Sequence, residues 1–351
     1  MIAAREYSRR LGSIDDGQFR SALERLGLGE FVRAEPVAGG LFGQNVFVAS
    51  TTGEYVLRGA PHYDWQLPAE QFFARLLHER TRAPVPWPYL LDRGDDIFGW
   101  SYAVMPRMPG LQLSDRAAAE ELTSDERFGM ARSMGENLAL MHALSWPRPG
   151  RYDLTTDTIA PLEETWTEWV AAEARRWLAL ARRHSDRTTD ADAGWVEDLL
   201  RSSYDALGEP FEPRFVMHDY GEHNVTFEQT DGLWRVSGVF DLMEAFFGDS
   251  EMDVSRQTAF YLKEDPELAR MFHEDVPGAT ARPSQIPGAV PSVHAPRPAR
   301  GVGVRPAPAA RAMVGPRADT AQVGGAVHRV ARHAGSGVIP SPLSSRSWAR
   351  A

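Results

Sequence analysis

The chain has no cysteine among its 351 residues, which excludes disulfides, thiolate metal sites and a cysteine nucleophile. It has one lysine, Lys263, against 37 arginines. Almost every cationic role therefore falls to a guanidinium, a planar fork rather than a point charge. No run of about 18 uncharged apolar residues occurs, so no transmembrane helix is expected. The opening MIAAREYSRR lacks the apolar stretch of a secretory signal. These absences together lead us to expect a cytoplasmic protein.

The bulk composition is ordinary, at 43% hydrophobic and 25% charged residues, and the chain is long enough for two lobes with cores of their own. The net charge of −10 conceals an asymmetry. From residue 277 onward there are ten arginines and one acid, Asp319, leaving 28 basic against 47 acidic residues in 1–276. A body this acidic repels nucleic acid and anionic membranes and favours cationic partners. The segment 277–351 is dominated by proline, alanine, arginine and glycine and has one aromatic residue, Trp348. With so little apolar surface to bury against chain entropy, it is expected to be disordered.

Periodicity gives the order of elements. Phe19, Ala22, Leu23 and Leu26 fall at helical spacing over 17–28. Alternating segments at 33–37, 45–49 and 55–58, separated by Gly39-Gly40 and Thr51-Thr52-Gly53, predict an antiparallel meander. A helix is expected from Pro68, with Phe72, Phe73, Leu76 and Leu77 on one face, and a strand over 100–105 before the turn Pro109-Gly110. Thr123 with Glu126 is a capping box ahead of Met130, Met134, Leu138 and Met141. Helices over 161–183 and 193–207 come next, then short strands near 214–217, 225–228 and 233–240, and helices at 252–262 and 266–273. The expected fold is α+β: a β-rich lobe over 1–105, a helical lobe with a small β insert over 106–276, and the tail 277–351.

The densest chemistry is His218-Asp219-Tyr220-Gly221-Glu222-His223-Asn224, with Asp241 closing an apolar strand seventeen residues later. Phosphoryl transfer requires one carboxylate to orient and deprotonate the attacking hydroxyl. It requires a second carboxylate, with an amide oxygen, to hold Mg²⁺ against the phosphates. An Asp, an Asn five residues on, then a hairpin and another Asp is the kinase arrangement of catalytic loop and metal loop. The competing reading makes Asp219 and Asn224 turn residues and Asp241 a strand-end cap.

The segment resembles the aminoglycoside phosphotransferase family. The similarity extends to Gly39-Gly40 with Asn45-Val46-Phe47, Tyr55-Val56-Leu57-Arg58, and Glu70. It includes the stretch from Met105 to Gly110, Leu140-Met141-His142, and the run from Phe240 to Ser250, which is similar to hygromycin phosphotransferases. The resemblance spans about 30–275 and implies a bilobal protein-kinase-like fold using ATP or GTP with Mg²⁺. It implies that Asp219 is catalytic, that Asn224 and Asp241 bind the metal, and that Arg58, paired with Glu70, meets phosphate. Met105 and Arg107 would border the adenine site. The family has a histidine two residues before the catalytic Asp, where this chain has Met217. It also continues in helices where this chain changes composition near Val276. A frame change in a GC-rich gene and a genuine extension are both compatible with that change.

The expected activity is phosphorylation of a hydroxyl on a cationic antibiotic, either an aminoglycoside such as hygromycin B or a basic peptide such as capreomycin or viomycin. The acids Glu244, Asp249, Glu251 and Asp253 are candidate contacts for its amines. A kinase of choline, homoserine or a ketosamine, and a nucleotide-binding pseudokinase, are the alternatives. Three intact catalytic positions argue against the pseudokinase. A protein kinase is disfavoured because neither Asp-Phe-Gly nor Ala-Pro-Glu occurs.

Overall fold

In the computed structural model, residues 5–37, 43–113 and 119–274 are described. Gly39-Gly40 and the tail 277–351 lie outside them. Two compact units result, one of 1–163 with 210–276 and one of Glu164–Glu209.

The first unit opens with a small ribbon, β1 (Arg5–Ser8) and β2 (Gly12–Ile14), followed by α1 (Asp16–Leu26). Asp15 caps α1, with Gln18 completing the capping box, and Gly27 ends it in the left-handed conformation. The main sheet consists of β3 (Phe31–Pro36), β4 (Asn45–Ser50), β5 (Gly53–Gly59), β6 (Leu90–Asp92) and β7 (Tyr102–Pro106). Its order is β3-β4-β5-β7-β6, antiparallel throughout, so β5 lies at the centre. Phe19 and Leu23 of α1 pack with Val46, Val48, Leu57 and Val104 of the sheet.

Between β5 and β6 runs α2 (Gln66–Arg80). It starts two residues before the Pro68 predicted from sequence, and Pro68 sits in the first turn, where a missing N–H is tolerated. The fully buried Phe73 meets Phe215 and Phe247 at 5.8 and 6.3 Å between ring centres. This helix thereby joins the sheet to the part of the unit that carries the catalytic loop.

After the segment at Pro109-Gly110, the hinge, come α3 (Ser124–His142), β8 (Gly150–Asp153) and β9 (Thr158–Pro161), then β10 (Arg214–Val216), β11 (Val225–Thr230), β12 (Leu233–Val239) and β13 (Phe246–Gly248). Strands β10, β13, β8 and β9 form a second sheet, and β11 and β12 a hairpin. The last two described helices of this unit, which we label α7 (Glu251–Glu264) and α8 (Pro266–His273), pack together, and α8 packs on α3.

The second unit consists of α4 (Trp166–His184), α5 (Asp190–Ser202) and α6 (Tyr204–Leu207). Thr165 with Glu168 and Thr189 with Asp192 cap the first two of these. Ala174, Leu178, Val196 and Leu200 form the core of this unit, and Arg175 is paired through two nitrogens with Glu197. Trp166, Trp169 and Trp177 are all buried. Among the described residues no helix is long and apolar enough to cross a membrane.

The hinge is strapped to the hairpin. Leu111 and Phe227 exchange both backbone hydrogen bonds at 2.8 Å, and Ser237 Oγ donates to the Pro109 carbonyl at 2.7 Å. Gly110 makes this approach possible: its φ is +103°, and a Cβ there would lie 2.4 Å from the Phe227 carbonyl oxygen. Both the dihedral and the contact exclude a side chain. Gly110→Ala is therefore expected to destabilise the protein by about 2–4 kcal/mol. Equilibrium urea unfolding will read this as a lower midpoint, and an unchanged midpoint would contradict the strapped hinge.

Candidate active site

The catalytic loop runs from the end of β10 to the start of β11, and it is held from several sides. Asp253, in the first turn of α7, is fully buried. Its carboxylate accepts from the backbone N–H of Met217 at 2.8 Å and of His218 at 2.9 Å, with His142 Nε2 at 3.4 Å. Tyr220 is wholly buried, donating to the Met134 carbonyl and accepting from Asn137. Glu222 receives Arg127 at 3.0 Å and the Tyr261 hydroxyl at 3.0 Å. Burial, and then the Glu222 charge, push the Tyr261 hydroxyl far above its ordinary pKa, so it stays a donor. His218 adopts φ +70°, an uncommon conformation outside glycine that this framework maintains.

Asp219 comes directly after and is largely buried. Arg256 Nη2 pairs with its Oδ1, and Asn224 Nδ2 lies 3.3 Å from its Oδ2. Asn224 Nδ2 also donates to the Asp219 carbonyl at 2.9 Å, which orients the Asn224 side chain with Oδ1 on its other side. Asn224 and Asp241 sit at the two ends of the β11–β12 hairpin, where Phe240 N–H donates to the Asn224 carbonyl at 3.1 Å. Asp241 is itself left-handed, at φ +72°.

Arg58 joins the central strand to this floor. Its Nη1 reaches Glu70 at 2.9 Å and its Nη2 reaches Asp241 at 2.7 Å. Glu70 also accepts from Tyr89 OH at 2.9 Å and from the Asp241 backbone N–H at 3.1 Å. Burial alone would lower the Arg58 pKa, but the Glu70 and Asp241 charges outweigh it and hold the guanidinium ionised. Burial raises the Glu70 carboxyl, and Arg58 draws it back. Two buried polar atoms here have no hydrogen-bond partner: Arg58 Nε and, on the residue directly opposite in the β4–β5 ladder, Asn45 Oδ1. An unsatisfied buried N–H is costly, and an anionic oxygen is the partner that suits it.

The donor set fits a hard divalent cation, since Asn224 and Asp241 offer only oxygen. Among the described residues no cluster of three or more His, Cys, Asp or Glu exists to hold a metal. Asn224 and Asp241 would hold such an ion with two oxygen donors, a small protein share of the kind Mg²⁺ accepts.

Met105 lies in β7 opposite Val56, one residue past the end of the β6–β7 ladder at Val104. Arg107 lies beyond it, exposed, with its guanidinium 3.9 Å over the Phe47 ring and 3.1 Å from Glu54.

The acids expected to meet substrate amines divide. Asp253 does not belong with them: it is out of reach of solvent and its charge is directed at the catalytic loop. Asp249 Oδ1 accepts from the Glu251 N–H at 3.0 Å at the start of α7, and Glu244 lies 3.5 Å from His218. Glu251 is exposed. The roles of Asp253, Arg256, Tyr89 and Arg127 escaped sequence reasoning. The i, i+3 spacing of Asp253 and Arg256 on one helix was the available signal.

A β-rich lobe, a hinge and a loop-hairpin floor carrying Asp219, Asn224 and Asp241 define a kinase-like phosphotransferase. The chain belongs to the phosphotransferase enzyme family (APH), whose model matches residues 33–282, and it is accordingly a small-molecule kinase. No curated protein sequence matches it. It is similar to a solved structure from Ralstonia eutropha JMP134, described provisionally as an aminoglycoside phosphotransferase. The two are 18% identical with a TM-score of 0.50, over 71% of this chain and 70% of that one. A thermostable mutant of the aminoglycoside phosphotransferase APH(4)-Ia, in its apo form, is likewise 18% identical with a TM-score of 0.49, over 72% and 79%.

Asp253→Ala leaves two buried loop donors unsatisfied at about 1–3 kcal/mol each. It should therefore lower both the thermal midpoint and turnover, and a variant as stable and active as the parent would show the loop is held otherwise. Arg58→Ala should raise the KM for nucleotide and lower kcat, while Arg58→Lys retains much of both. Wild-type nucleotide kinetics in the alanine variant would remove Arg58 from the phosphate site.

Proposed function

We propose that the protein transfers the γ-phosphoryl group of Mg²⁺-ATP or Mg²⁺-GTP to a hydroxyl of a small cationic molecule, with a basic antibiotic as the foremost candidate. The observation that carries this reading is the Arg58 bridge. A cation from the central strand reaches the floor formed by Asp219, Asn224 and Asp241, with an unsatisfied N–H left for a phosphate oxygen.

In this reading Arg58 steadies the phosphates and Glu70 fixes Arg58. The edge at Met105 and Arg107 borders the base. Asn224 Oδ1 and Asp241 hold Mg²⁺, which when bound neutralises charge on the phosphates. Asp219 orients the acceptor hydroxyl and takes its proton. A cationic acceptor is supported by the acid excess of 1–276 and by the acids around the start of α7 that remain accessible, Glu244, Asp249 and Glu251. Such charge focuses a field that draws amines in and is screened over about 8–10 Å by salt.

The test is a nucleotide-turnover screen of purified protein against aminoglycosides, basic peptide antibiotics, choline, homoserine and ketosamines, with phosphorylated product identified by mass. Asp219→Ala should lower transfer about 10²–10⁴-fold with little change in nucleotide affinity, whereas Asp241→Ala should weaken Mg²⁺-nucleotide binding as well. For the preferred acceptor, kcat/KM should fall with added salt more than nucleotide affinity does. An uncharged acceptor that outperforms every amine would overturn the cationic reading. Full activity in Asp219→Ala would overturn the mechanism.

A further inference from the structure

Arg256 lies on α7 one turn beyond Asp253, and the two residues grip the same loop differently. Asp253 takes the backbone N–H groups of Met217 and His218, while Arg256 Nη1 reaches the His218 carbonyl at 3.4 Å and Nη2 pairs with Asp219 Oδ1. The Arg256 side chain is 13% exposed and that of Asp219 8%, so the pair is poorly screened by water. Phe260, on the next turn of α7, lies with its ring 5.7 Å from the guanidinium carbon.

The surrounding charges explain why this cation matters. The residues just before Asp219 already carry two acids, Asp253 on the Met217 and His218 N–H groups and Glu244 3.5 Å from His218. Arg58 is engaged by Glu70 and Asp241, and Arg127 by Glu222 and Glu264. His223 Nε2 lies 3.5 Å from Asp219 Oδ2, but its side chain is 51% exposed. Arg256 directs a half-buried guanidinium at Asp219.

We propose that Arg256 is a positioning residue for phosphoryl transfer: by fixing Oδ1 of Asp219 it sets the carboxylate rotation and presents Oδ2 to the acceptor hydroxyl. This rests on the reading of Asp219 as the proton acceptor. In that step the hydroxyl oxygen bonds to the γ-phosphorus, and its proton passes to Asp219 and later to water. The bond from the γ-phosphorus to the β,γ-bridging oxygen breaks, and its electron pair leaves with the nucleoside diphosphate. Small errors in the attacking geometry are expensive in rate, so a carboxylate free to rotate would lower kcat while leaving nucleotide affinity intact. The guanidinium offers a fork whose two nitrogens divide between the His218 carbonyl and the Asp219 carboxylate. A lysine can still supply the pairing to Asp219.

The experiment measures transfer from labelled Mg²⁺-ATP and Mg²⁺-GTP, to acceptor and to water, in the full chain and its Arg256→Gln, Arg256→Lys, Asp219→Asn and Asp219→Asn/Arg256→Gln variants. Arg256→Gln should lower kcat about 10–100-fold, with KM for nucleotide within about twofold of the parent. Arg256→Lys should recover most of the loss. In the Asp219→Asn background the Arg256→Gln change should have no further effect, because the two residues act as one unit. Unchanged kcat in Arg256→Gln, or additive losses in the double variant, would overturn the proposal. A faster Arg256→Gln would identify Arg256 as a brake on Asp219 and overturn it as well. Loss of nucleotide affinity in Arg256→Gln, or no recovery in Arg256→Lys, would show a role in folding and have the same consequence. A parent that transfers phosphate to neither acceptor nor water, or an Asp219→Asn variant at parental rate, would instead reject the underlying assignment of Asp219.

Discussion

The catalytic loop depends on one carboxylate that water never reaches. Asp253 accepts two successive backbone N–H groups where the chain leaves β10, satisfying them without water. The left-handed turn at His218 is tolerated because the groups on either side of it are fixed in this way. That turn sets the direction of Asp219, and Asp219 in turn sets the orientation of Asn224. A helix that looks peripheral in the chain order, α7, is thus the support on which the site is built.

A second constraint comes from the other side. Arg58 must remain charged at a position closed to solvent, and Glu70 and Asp241 make that possible. The cation therefore ties β5, α2 and the metal loop into one electrostatic unit. In a chain with a single lysine the choice of arginine has consequences. One nitrogen can stay with Glu70 and another with Asp241, while the buried Nε–H has no hydrogen-bond partner. A lysine could still meet Glu70 and Asp241 with its three N–H donors, but without the fixed fork of the guanidinium.

Much of this was legible in the sequence where the signal is local. The α1 periodicity, the meander of β3 to β5, the Thr123–Glu126 capping box and the Asp265-Pro266 start of α8 all correspond to elements of the fold. Strands of three or four residues, such as β6, β8, β9 and β13, are too short to alternate visibly, and their partners lie far away in sequence. The helix expected over 161–183 begins at Trp166, because β9 takes 158–161 and Thr165 with Glu168 caps the helix only after it. That capping box is as local a signal as the one at Thr123. The helix expected over 193–207 starts earlier, at Asp190, and is interrupted at Ser203. In the site, Asp219, Asn224 and Asp241 belong to a loop and hairpin whose spacing carries its own meaning. Asp253 was misplaced because an acid in the first turn of a helix ordinarily faces solvent beside the helix dipole. Its burial is decided by His142 and by the loop above it, which no local pattern encodes.

The central claim is that phosphate and metal meet on the floor beneath Arg58. A crystal structure with Mg²⁺ and a non-hydrolysable ATP or GTP analogue tests it most directly. The account predicts the metal on the Asn224 side-chain oxygen and Asp241, a phosphate oxygen on the Arg58 guanidinium, and the terminal phosphate facing Asp219. A nucleotide bound elsewhere, or a metal coordinated without Asn224 and Asp241, would contradict it.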